Sequence, residues 1–177
     1  MPADDGACDH LAGAEMPPIS LPSTKGGAVN LAKVSRKART VLFFYPRSGR
    51  PDEPQIPGWD DIPGARGCTL QSCAFRDSFP DFEVLGVQLF GISAQDTEYE
   101  REFAERTHLT YPLLSDAAFT LTGALRLPTF EHRGMRLIKR LTLVVSEGRI
   151  EKVFYPVSPP DKNAEEVLAY LRSAMNG

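Results

Sequence analysis

The run TVLFFY, residues 40–45, constrains the fold more than any other stretch, because six consecutive residues are apolar, aromatic or β-branched. Pro46 follows it directly, and proline lacks the N–H group that the interior of a sheet requires. Such a continuous run is typical of a central strand buried on both faces, whereas a half-exposed strand alternates apolar and polar residues. We therefore expect this strand at the centre of a sheet, with its carboxyl end near the functional site.

Strands and helices alternate in the middle of the chain. GVQLFGIS, residues 86–93, predicts a second buried strand, and Thr97 with Glu100 predicts a capping box that opens an amphipathic helix. A helical pattern also runs from Thr69, and Pro80 is expected to break it or to begin a new first turn. The middle of the chain therefore predicts strand, helix, strand and helix in succession.

The two ends of the chain carry further elements. MPPISLPSTKGGAVNL, residues 16–31, predicts a β-hairpin around a turn at residues 24–27, and LIKRLTLVV and RIEKVFYP predict two strands joined by a tight turn at residues 146–148. TYPLLSD predicts a short strand, AAFTLTGALRL predicts a helix, and Asn163 is placed to cap a final helix. This order predicts an α/β fold with a mixed central β-sheet, helices on both faces and an N-terminal β-hairpin.

The length and composition are those of one domain. The chain has 177 residues, of which 42% are hydrophobic, and a chain of this size builds one core rather than two. We expect a single domain over residues 1–177, with residues 1–16 as an extended or flexible tail. A stretch rich in Pro, Gly and Asp at residues 47–66 is long for a loop in a compact domain, which is typical of a functional or mobile segment.

Charge and hydropathy argue against several classes of partner. Lys and Arg number 20 against 23 Asp and Glu, a formal net charge of -3, so no basic field favours nucleic acid or an anionic membrane. The longest apolar run is about six residues, against the roughly 20 of a membrane helix. The acidic start MPADDGACDH lacks the regions of a secretory signal. We expect a cytoplasmic protein with no nucleic-acid or membrane partner.

The three cysteines are too few, and odd in number, for a secreted disulfide scaffold. Cys68 is predicted at the start of a helix near Arg66 and Arg76, and unpaired N–H groups, the helix dipole and arginine charge all favour the thiolate. A thiolate attacks the O–O bond of a peroxide and becomes a sulfenic acid, which condenses with a second thiol. Cys73 is the nearest candidate for that thiol, whereas Cys8 is expected to be a small buried hydrophobe or part of a disordered tail.

The spacing of Cys68 and Cys73 sets a condition on such a disulfide. On an intact helix, residues i and i+5 are separated by a rise of ~7.5 Å and a rotation of ~140°, which places their Cα atoms roughly 8 to 9 Å apart. A disulfide tolerates at most about 7 Å between Cα atoms. If these cysteines are partners, the first turns of the helix must unwind after oxidation.

A metal site is the other functional interpretation of the cysteines. Cys8 and His10 form a Cys-x-His pair that could join Cys68 or Cys73. The spacings match no standard zinc pattern, however. We therefore expect no metal and no other cofactor.

Five stretches, in this order, resemble peroxiredoxins of the Q or bacterioferritin-comigratory-protein type: TVLFFYP, GCTLQSCAFRDSF, LFGISAQDTEYEREFAE, YPLLSD and KRLTLVVSEGRIEKVFYP. Together they span most of the chain, and the most specific motif is G-C-T-x-x-x-C-x-x-R-D. The resemblance implies a thioredoxin-like fold and a thiol peroxidase that reduces hydrogen peroxide or organic hydroperoxides. Similar proteins are usually monomers or weak dimers.

The resemblance also implies roles for individual residues. Cys68 matches the peroxidatic cysteine of the family, and Cys73 matches a resolving cysteine. Arg140, which directly precedes the predicted strand LTLVV, matches the arginine that holds the peroxide and the thiolate in place. Thioredoxin or a similar dithiol donor would then reduce the disulfide.

The chain departs from the family pattern before Cys68. Additional residues follow Tyr45-Pro46, so the resemblance is to a branch with an inserted loop over residues 47–66. Ala65 stands where the family has a threonine or serine whose hydroxyl normally bonds the peroxide.

Three groups could replace that hydroxyl: Thr69, Ser48 or the loop backbone. Without a replacement, the peroxidase activity would be weakened. The alternative function is therefore a thioredoxin-fold disulfide oxidoreductase or redox sensor without efficient peroxidase turnover.

Overall fold

The computed structural model describes residues 3–176. Within these residues the strands are β1 (Ser20–Pro22), β2 (Ala28–Asn30), β3 (Thr40–Phe44), β4 (Gln88–Ser93), β5 (Leu113–Ser115), β6 (Thr129–His132), β7 (Met135–Ile138), β8 (Leu141–Ser146) and β9 (Arg149–Phe154). The α-helices are α1 (Leu31–Lys37), α2 (Cys68–Val84), α3 (Thr97–Arg106), α4 (Thr120–Leu125) and α5 (Asn163–Asn176). Two short 3-10 turns lie at Trp59–Asp61 and Pro160–Lys162. None of the helices described is long and apolar enough to cross a membrane.

The central sheet is mixed and has the strand order β5-β4-β3-β8-β9. Strand β3 pairs in parallel with β4 and antiparallel with β8, and each of its five residues is buried. The prediction of a central strand buried on both faces is therefore confirmed. Because β3 is flanked on both sides, its carboxyl end, at Pro46, lies at the middle of one edge of the sheet.

Two hydrophobic cores cover the two faces of this sheet, as the alternation of side chains along β3 requires. Leu42 and Phe44 belong to one core, which also contains residues of α1 and α4, among them Leu31 and Leu121. Val41 and Phe43 belong to the other core. That core also contains residues of α2, α3 and α5, among them Phe75, Phe103 and Val167. Helices on both faces of a mixed sheet, as predicted, are confirmed.

The N-terminal region is more ordered than expected. Strands β1 and β2 form the predicted hairpin, with Leu21 opposite Val29. The expectation of an extended or flexible tail, however, is wrong for residues 3–16. The side chains of Cys8, Leu11 and Met16 are buried in the first core, and the backbone of this segment bonds to β9 and to the turn before it. Met1 and Pro2 lie outside the described residues.

The predictions for helices α2 and α3 differ from the structure. Helix α2 continues through Pro80, because the ring is exposed while the buried Phe75 and Phe82 anchor the helix on both sides of it. Helix α3 is capped by Asp96, whose carboxylate accepts a hydrogen bond from the N–H of Tyr99. The predicted capping box is therefore wrong. Glu100, which belongs to α3, is instead a buried residue.

The C-terminal half also differs in detail. LIKRLTLVV is divided between two strands, since β7 ends at Ile138, pairs with β6, and is separated from β8. The tight turn after β8 is confirmed, with Glu147 and Gly148 at φ 52° and 76°. Helix α4 is shorter than predicted. Asn163 begins α5 rather than capping it through its side chain, because its Oδ1 atom accepts hydrogen bonds from two buried side chains, Gln71 and Thr142.

Candidate active site

Cys68 is the first residue of α2, and the backbone before it sets its position. Gly67 has φ 106°, a conformation that glycine adopts without a steric penalty. Gly67 has no side chain to cap the helix, so the N–H groups of the first turn remain available beside the sulfur. The Cys68 side chain is only 5% exposed. The structure therefore places a buried thiol at the positive end of a 17-residue helix.

Arg140 lies against this thiol. It precedes β8 by one residue, is 4% exposed, and its Nη2 atom is 3.1 Å from Cys68 Sγ. The same guanidinium donates to the carbonyl oxygens of Gly64, Ala65 and Arg66 and to the side-chain oxygen of Gln71. None of these acceptors carries a negative charge. The positive charge of Arg140 therefore lies directly beside the Cys68 sulfur, with no carboxylate among its partners.

A cavity of about 280 Å³ opens at Cys68, and the stretch between β3 and α2 forms much of it. Ser48 lines this cavity and is buried, and its backbone and hydroxyl both donate to Gln95 Oε1, at 3.0 and 3.2 Å. Ala65 also lines it and contributes only a methyl group, and Thr69 is exposed. The cavity thus contains a buried, oriented hydroxyl at Ser48.

Aromatic contacts fix this stretch to the β6–β7 hairpin. Trp59 packs against Phe130 and His132, with ring centroids 6.2 and 6.0 Å apart. The His132 ring nitrogen lies 2.9 Å from the carbonyl oxygen of Pro57. The hairpin, which the sequence did not predict, therefore supports the wall of the cavity. That residues 47–66 are an insertion, and that the chain is a single domain, stay predictions.

Cys73 lies on the same uninterrupted helix as Cys68, as predicted. Both cysteines are free thiols, and Cys73 is partly exposed. Residues five apart on such a helix have Cα atoms roughly 8 to 9 Å apart, beyond the about 7 Å that a disulfide allows. The buried hydroxyl of Tyr111 also donates a 2.6 Å hydrogen bond to the carbonyl of Ser72. The structure therefore represents the reduced state with α2 wound.

Cys8 does not join these residues. Its side chain belongs to the core on the opposite face of the sheet from Cys68, where burial raises the pKa of its thiol to about 12 and Asp5 contributes in the same direction. The His10 ring nitrogen lies 2.8 Å from the carbonyl oxygen of Leu125. Among residues 3–176, no three side chains of His, Cys, Asp or Glu form a cluster that could hold a metal ion. The structure therefore does not bring the proposed metal ligands together.

A series of buried, hydrogen-bonded polar side chains that the sequence did not predict lies behind Arg140. Gln71 Oε1 accepts from Arg140 Nη1 at 2.6 Å, and Gln71 Nε2 donates to Asn163 Oδ1 at 3.1 Å. Thr142 Oγ1 donates to the same oxygen at 2.7 Å. Spacing could have indicated two of these residues: Gln71 lies one helical turn after Cys68, and Thr142 lies two strand positions after Arg140, on the same face.

The chain is similar to known proteins over most of its length. The sequence model of the redoxin family matches residues 11–168. A chloroplastic peroxiredoxin Q from Sedum lineare is 30% identical over 161 residues, 91% of this chain and 77% of the relative. A putative peroxiredoxin from Mycobacterium tuberculosis is 33% identical over 149 residues, 82% of this chain and 85% of the relative.

Solved structures give the same result. The crystal structure of the peroxidoxin BcpB from Mycobacterium tuberculosis superimposes with a TM-score of 0.76 at 28% identity, covering 93% of this chain and 98% of that one. A PrxQ mutant from Xylella fastidiosa has a TM-score of 0.76 at 22% identity, covering 94% and 98%, which shows the fold alone. The predicted thioredoxin-like fold is confirmed. The chain belongs to the redoxin family and is a thiol peroxidase of the peroxiredoxin Q type.

Proposed function

We propose that Cys68 is the peroxidatic cysteine, that Cys73 resolves it, and that Arg140 stabilises the charges on the reacting atoms. The observation that carries this proposal is the 3.1 Å contact between Arg140 Nη2 and Cys68 Sγ, in a site where no acceptor of the guanidinium is charged. A buried cation beside the sulfur favours the nucleophilic thiolate. It also stabilises the charge that passes to the peroxide oxygen as the O–O bond breaks.

The first step is a displacement on oxygen. The thiolate of Cys68 attacks the terminal oxygen of a hydroperoxide ROOH, the O–O bond breaks, and RO⁻ leaves and takes up a proton as ROH. Cys68 is then a sulfenic acid, Cys–SOH. With hydrogen peroxide as substrate, R is hydrogen and the product is water.

The second step joins the two cysteines. The Cys73 sulfur attacks the sulfenic sulfur, a disulfide forms, and water leaves with the sulfenic oxygen. Because wound helix α2 keeps these cysteines too far apart, its first turns must open before this step. An external dithiol donor, thioredoxin or a protein like it, then reduces the disulfide by thiol–disulfide exchange.

Ser48 supplies the hydroxyl that Ala65 lacks. The Ser48 side chain is buried in the cavity at Cys68, whereas that of Thr69 is exposed. Because Ser48 Oγ donates its own proton to Gln95, its lone pairs are free to accept a hydrogen bond from the peroxide O–H. Gln95 thus fixes the direction in which Ser48 accepts.

Cysteine variants test these roles. Cys68→Ser is expected to abolish peroxide consumption in a thioredoxin-coupled assay, whereas Cys73→Ser is expected to stop after one turnover with Cys68 as a sulfenic acid. Cys8→Ser is the matched control and is expected to keep full activity. A mass spectrum of the oxidised wild type that shows a Cys8–Cys68 bond would move the resolving role to Cys8.

The rate of the first step separates this function from a slow redox sensor or disulfide oxidoreductase. Stopped-flow oxidation of Cys68 by hydrogen peroxide is expected to be orders of magnitude faster than that of a free thiol. A rate equal to that of free cysteine would favour the sensor. A cytoplasmic location and a monomeric or weakly dimeric state stay predictions.

A further inference from the structure

Gln71 connects the first turn of α2 to two other elements. Its side chain is fully buried and uses both ends, since Oε1 accepts from Arg140 and Nε2 donates to Asn163. Asn163 is the first residue of α5 and also accepts from Thr142 on β8. The start of α2 is therefore tied through one buried side chain to the start of α5.

A second contact joins the same two helix starts. A β-carbon built on Gly67, directly before Cys68, would lie 2.9 Å from Cγ of Pro160. Pro160 belongs to the 3-10 turn that leads into α5. The backbone at the start of α2 therefore rests directly on the segment that carries Asn163.

Opening of α2 must break this connection. Gln71 lies between Cys68 and Cys73, so any unwinding that lets these cysteines bond also moves Gln71 out of the helix. Its hydrogen bonds to Asn163 and Arg140 are buried, and breaking them leaves donors and acceptors unpaired until water reaches them. The opening therefore becomes slower as the contact with Asn163 becomes stronger.

We propose that Asn163 is a positioning residue that holds the first turn of α2 closed, and that it thereby sets the rate at which Cys73 reaches oxidised Cys68. This inference rests on the proposed roles of the two cysteines. Two reactions compete for Cys68–SOH: condensation with the Cys73 thiol, which releases water, and attack by a second ROOH, which gives Cys68–SO₂H and ROH. Asn163 therefore affects the peroxide concentration at which Cys68 is converted to the sulfinic acid.

Hydrogen exchange in the reduced protein tests the closing contact without any peroxide. In Asn163→Ala, the amides of residues 70–73 are expected to exchange about tenfold faster, because one buried hydrogen bond no longer opposes opening. Val167→Ala is the matched control. It shortens a buried side chain of α5 that has no hydrogen bond to Gln71. The exchange rates of the amides of residues 70–73 in this variant are expected to stay within about twofold of those in wild type. Equal exchange in all three proteins would overturn the proposal.

The kinetics of oxidation test the consequence. In Asn163→Ala, formation of the sulfenic acid is expected to stay within about twofold of wild type, because Arg140 still contacts Cys68. The Cys68–Cys73 disulfide is expected to form about tenfold faster, and the peroxide concentration that converts half of Cys68 to sulfinic acid is expected to rise by about the same factor. Rapid quench with mass spectrometry measures all three quantities.

The outcomes distinguish this inference from the proposed function. A wild-type Cys68–Cys73 disulfide whose rate Asn163→Ala leaves unchanged overturns the role of Asn163 alone. A wild type that never forms this disulfide overturns the role of Cys73 and the inference with it. Pro160→Ala, which removes part of the second contact and keeps every hydrogen bond of Gln71, is expected to speed opening in the same direction. If Asn163→Ala does not fold, Asn163→Leu takes its place, because it removes the acceptor of Gln71 and keeps the approximate volume of the side chain, and unchanged exchange in Asn163→Leu overturns the inference.

Discussion

Arg140 Nη2 lies 3.1 Å from Cys68 Sγ, although 72 positions separate the two residues in the chain. Neither residue is placed by its own element alone. Cys68 begins a helix behind Gly67, and Arg140 enters a central strand next to β3. Because β3 and β8 are paired, the loop after β3 and the residue before β8 meet at the same edge of the sheet. The contact is therefore a product of the strand order.

Removal of the guanidinium should slow the first chemical step. Arg140→Ala is expected to reduce the rate of Cys68 oxidation by hydrogen peroxide by about 100- to 1000-fold, the usual effect of deleting one donor that stabilises developing charge. Arg140→Lys keeps the charge without the fork of donors and should recover part of that loss. Stopped-flow fluorescence measures these rates.

Arg149→Ala is the control for that experiment. Arg149 pairs with Glu15 at the surface, so its removal is expected to change the rate by less than about twofold. Circular dichroism checks that Arg140→Ala is folded. If the folded variant then has a rate of Cys68 oxidation within tenfold of wild type, the role assigned to Arg140 is wrong.

Ser48→Ala tests the source of the missing hydroxyl. The variant removes the acceptor that the peroxide O–H would use and is expected to lower the second-order rate of Cys68 oxidation by about tenfold. Thr69→Ala removes an exposed hydroxyl in the same cavity and is expected to keep the rate. Ala65→Ser is expected to raise the rate of Cys68 oxidation only slightly, because the Ser48 hydroxyl already supplies the acceptor. If Ser48→Ala has the wild-type rate of Cys68 oxidation and Ala65→Ser has a much higher one, Ser48 does not replace the hydroxyl that is missing at position 65.

Cys8 is expected to resist alkylation in the folded protein. Burial raises the pKa of its thiol to about 12, so at pH 8 only roughly one molecule in ten thousand carries the thiolate, and the thiolate is the nucleophile. Iodoacetamide at pH 8 should label Cys73 and leave Cys8 unmodified, and urea should make Cys8 reactive. Peptide mass spectrometry reads both states. Prompt labelling of Cys8 in folded protein would contradict its burial.

Glu100 should make the protein less stable as the pH rises. Burial raises the pKa of its carboxyl well above the usual value for glutamate, and its hydrogen bond with Ser93 opposes that shift only in part. A raised folded-state pKa means that the stability is fully present below about pH 4.5 and is lost as the pH rises through the folded-state pKa.

Glu100→Gln measures this effect. Its free energy of unfolding in urea is expected to exceed that of wild type by a margin that grows between pH 5 and pH 8, at no more than about 1.4 kcal/mol per pH unit. Glu98→Gln changes an exposed carboxyl in the first turn of the same helix and serves as the control. A margin that is constant over this pH range would show that Glu100 is already ionised in the folded protein.

Local sequence patterns predicted the secondary structure where one residue type dominated a segment. TVLFFY and GVQLFGIS became β3 and β4 because continuous apolar runs are buried in any arrangement of this sheet. Local patterns failed where two signals competed. Pro80 did not end α2, because the apolar residues around it pack on the sheet, and Asp96 rather than Thr97 became the cap of α3.

The N-terminal segment shows the same limit more plainly. A start rich in acidic and small residues predicted a tail, and three apolar side chains spaced along it, Cys8, Leu11 and Met16, were enough to bury it. Its backbone partners lie on β9 and in the turn before it, near the other end of the chain. Only the folded sheet offers those partners.

The sequence by itself determined the two thiols at a helix start, the buried strand that precedes them and the arginine at the entry to a late strand, because each depends on neighbouring residues and on hydrophobic periodicity. The tertiary structure decided which groups meet. It brought Arg140 to Cys68, Ser48 to the cavity and Asn163 to Gln71, and it separated Cys8 from all of them. Contacts of this kind depend on strand order and packing across the sheet, which arise only when the whole chain folds.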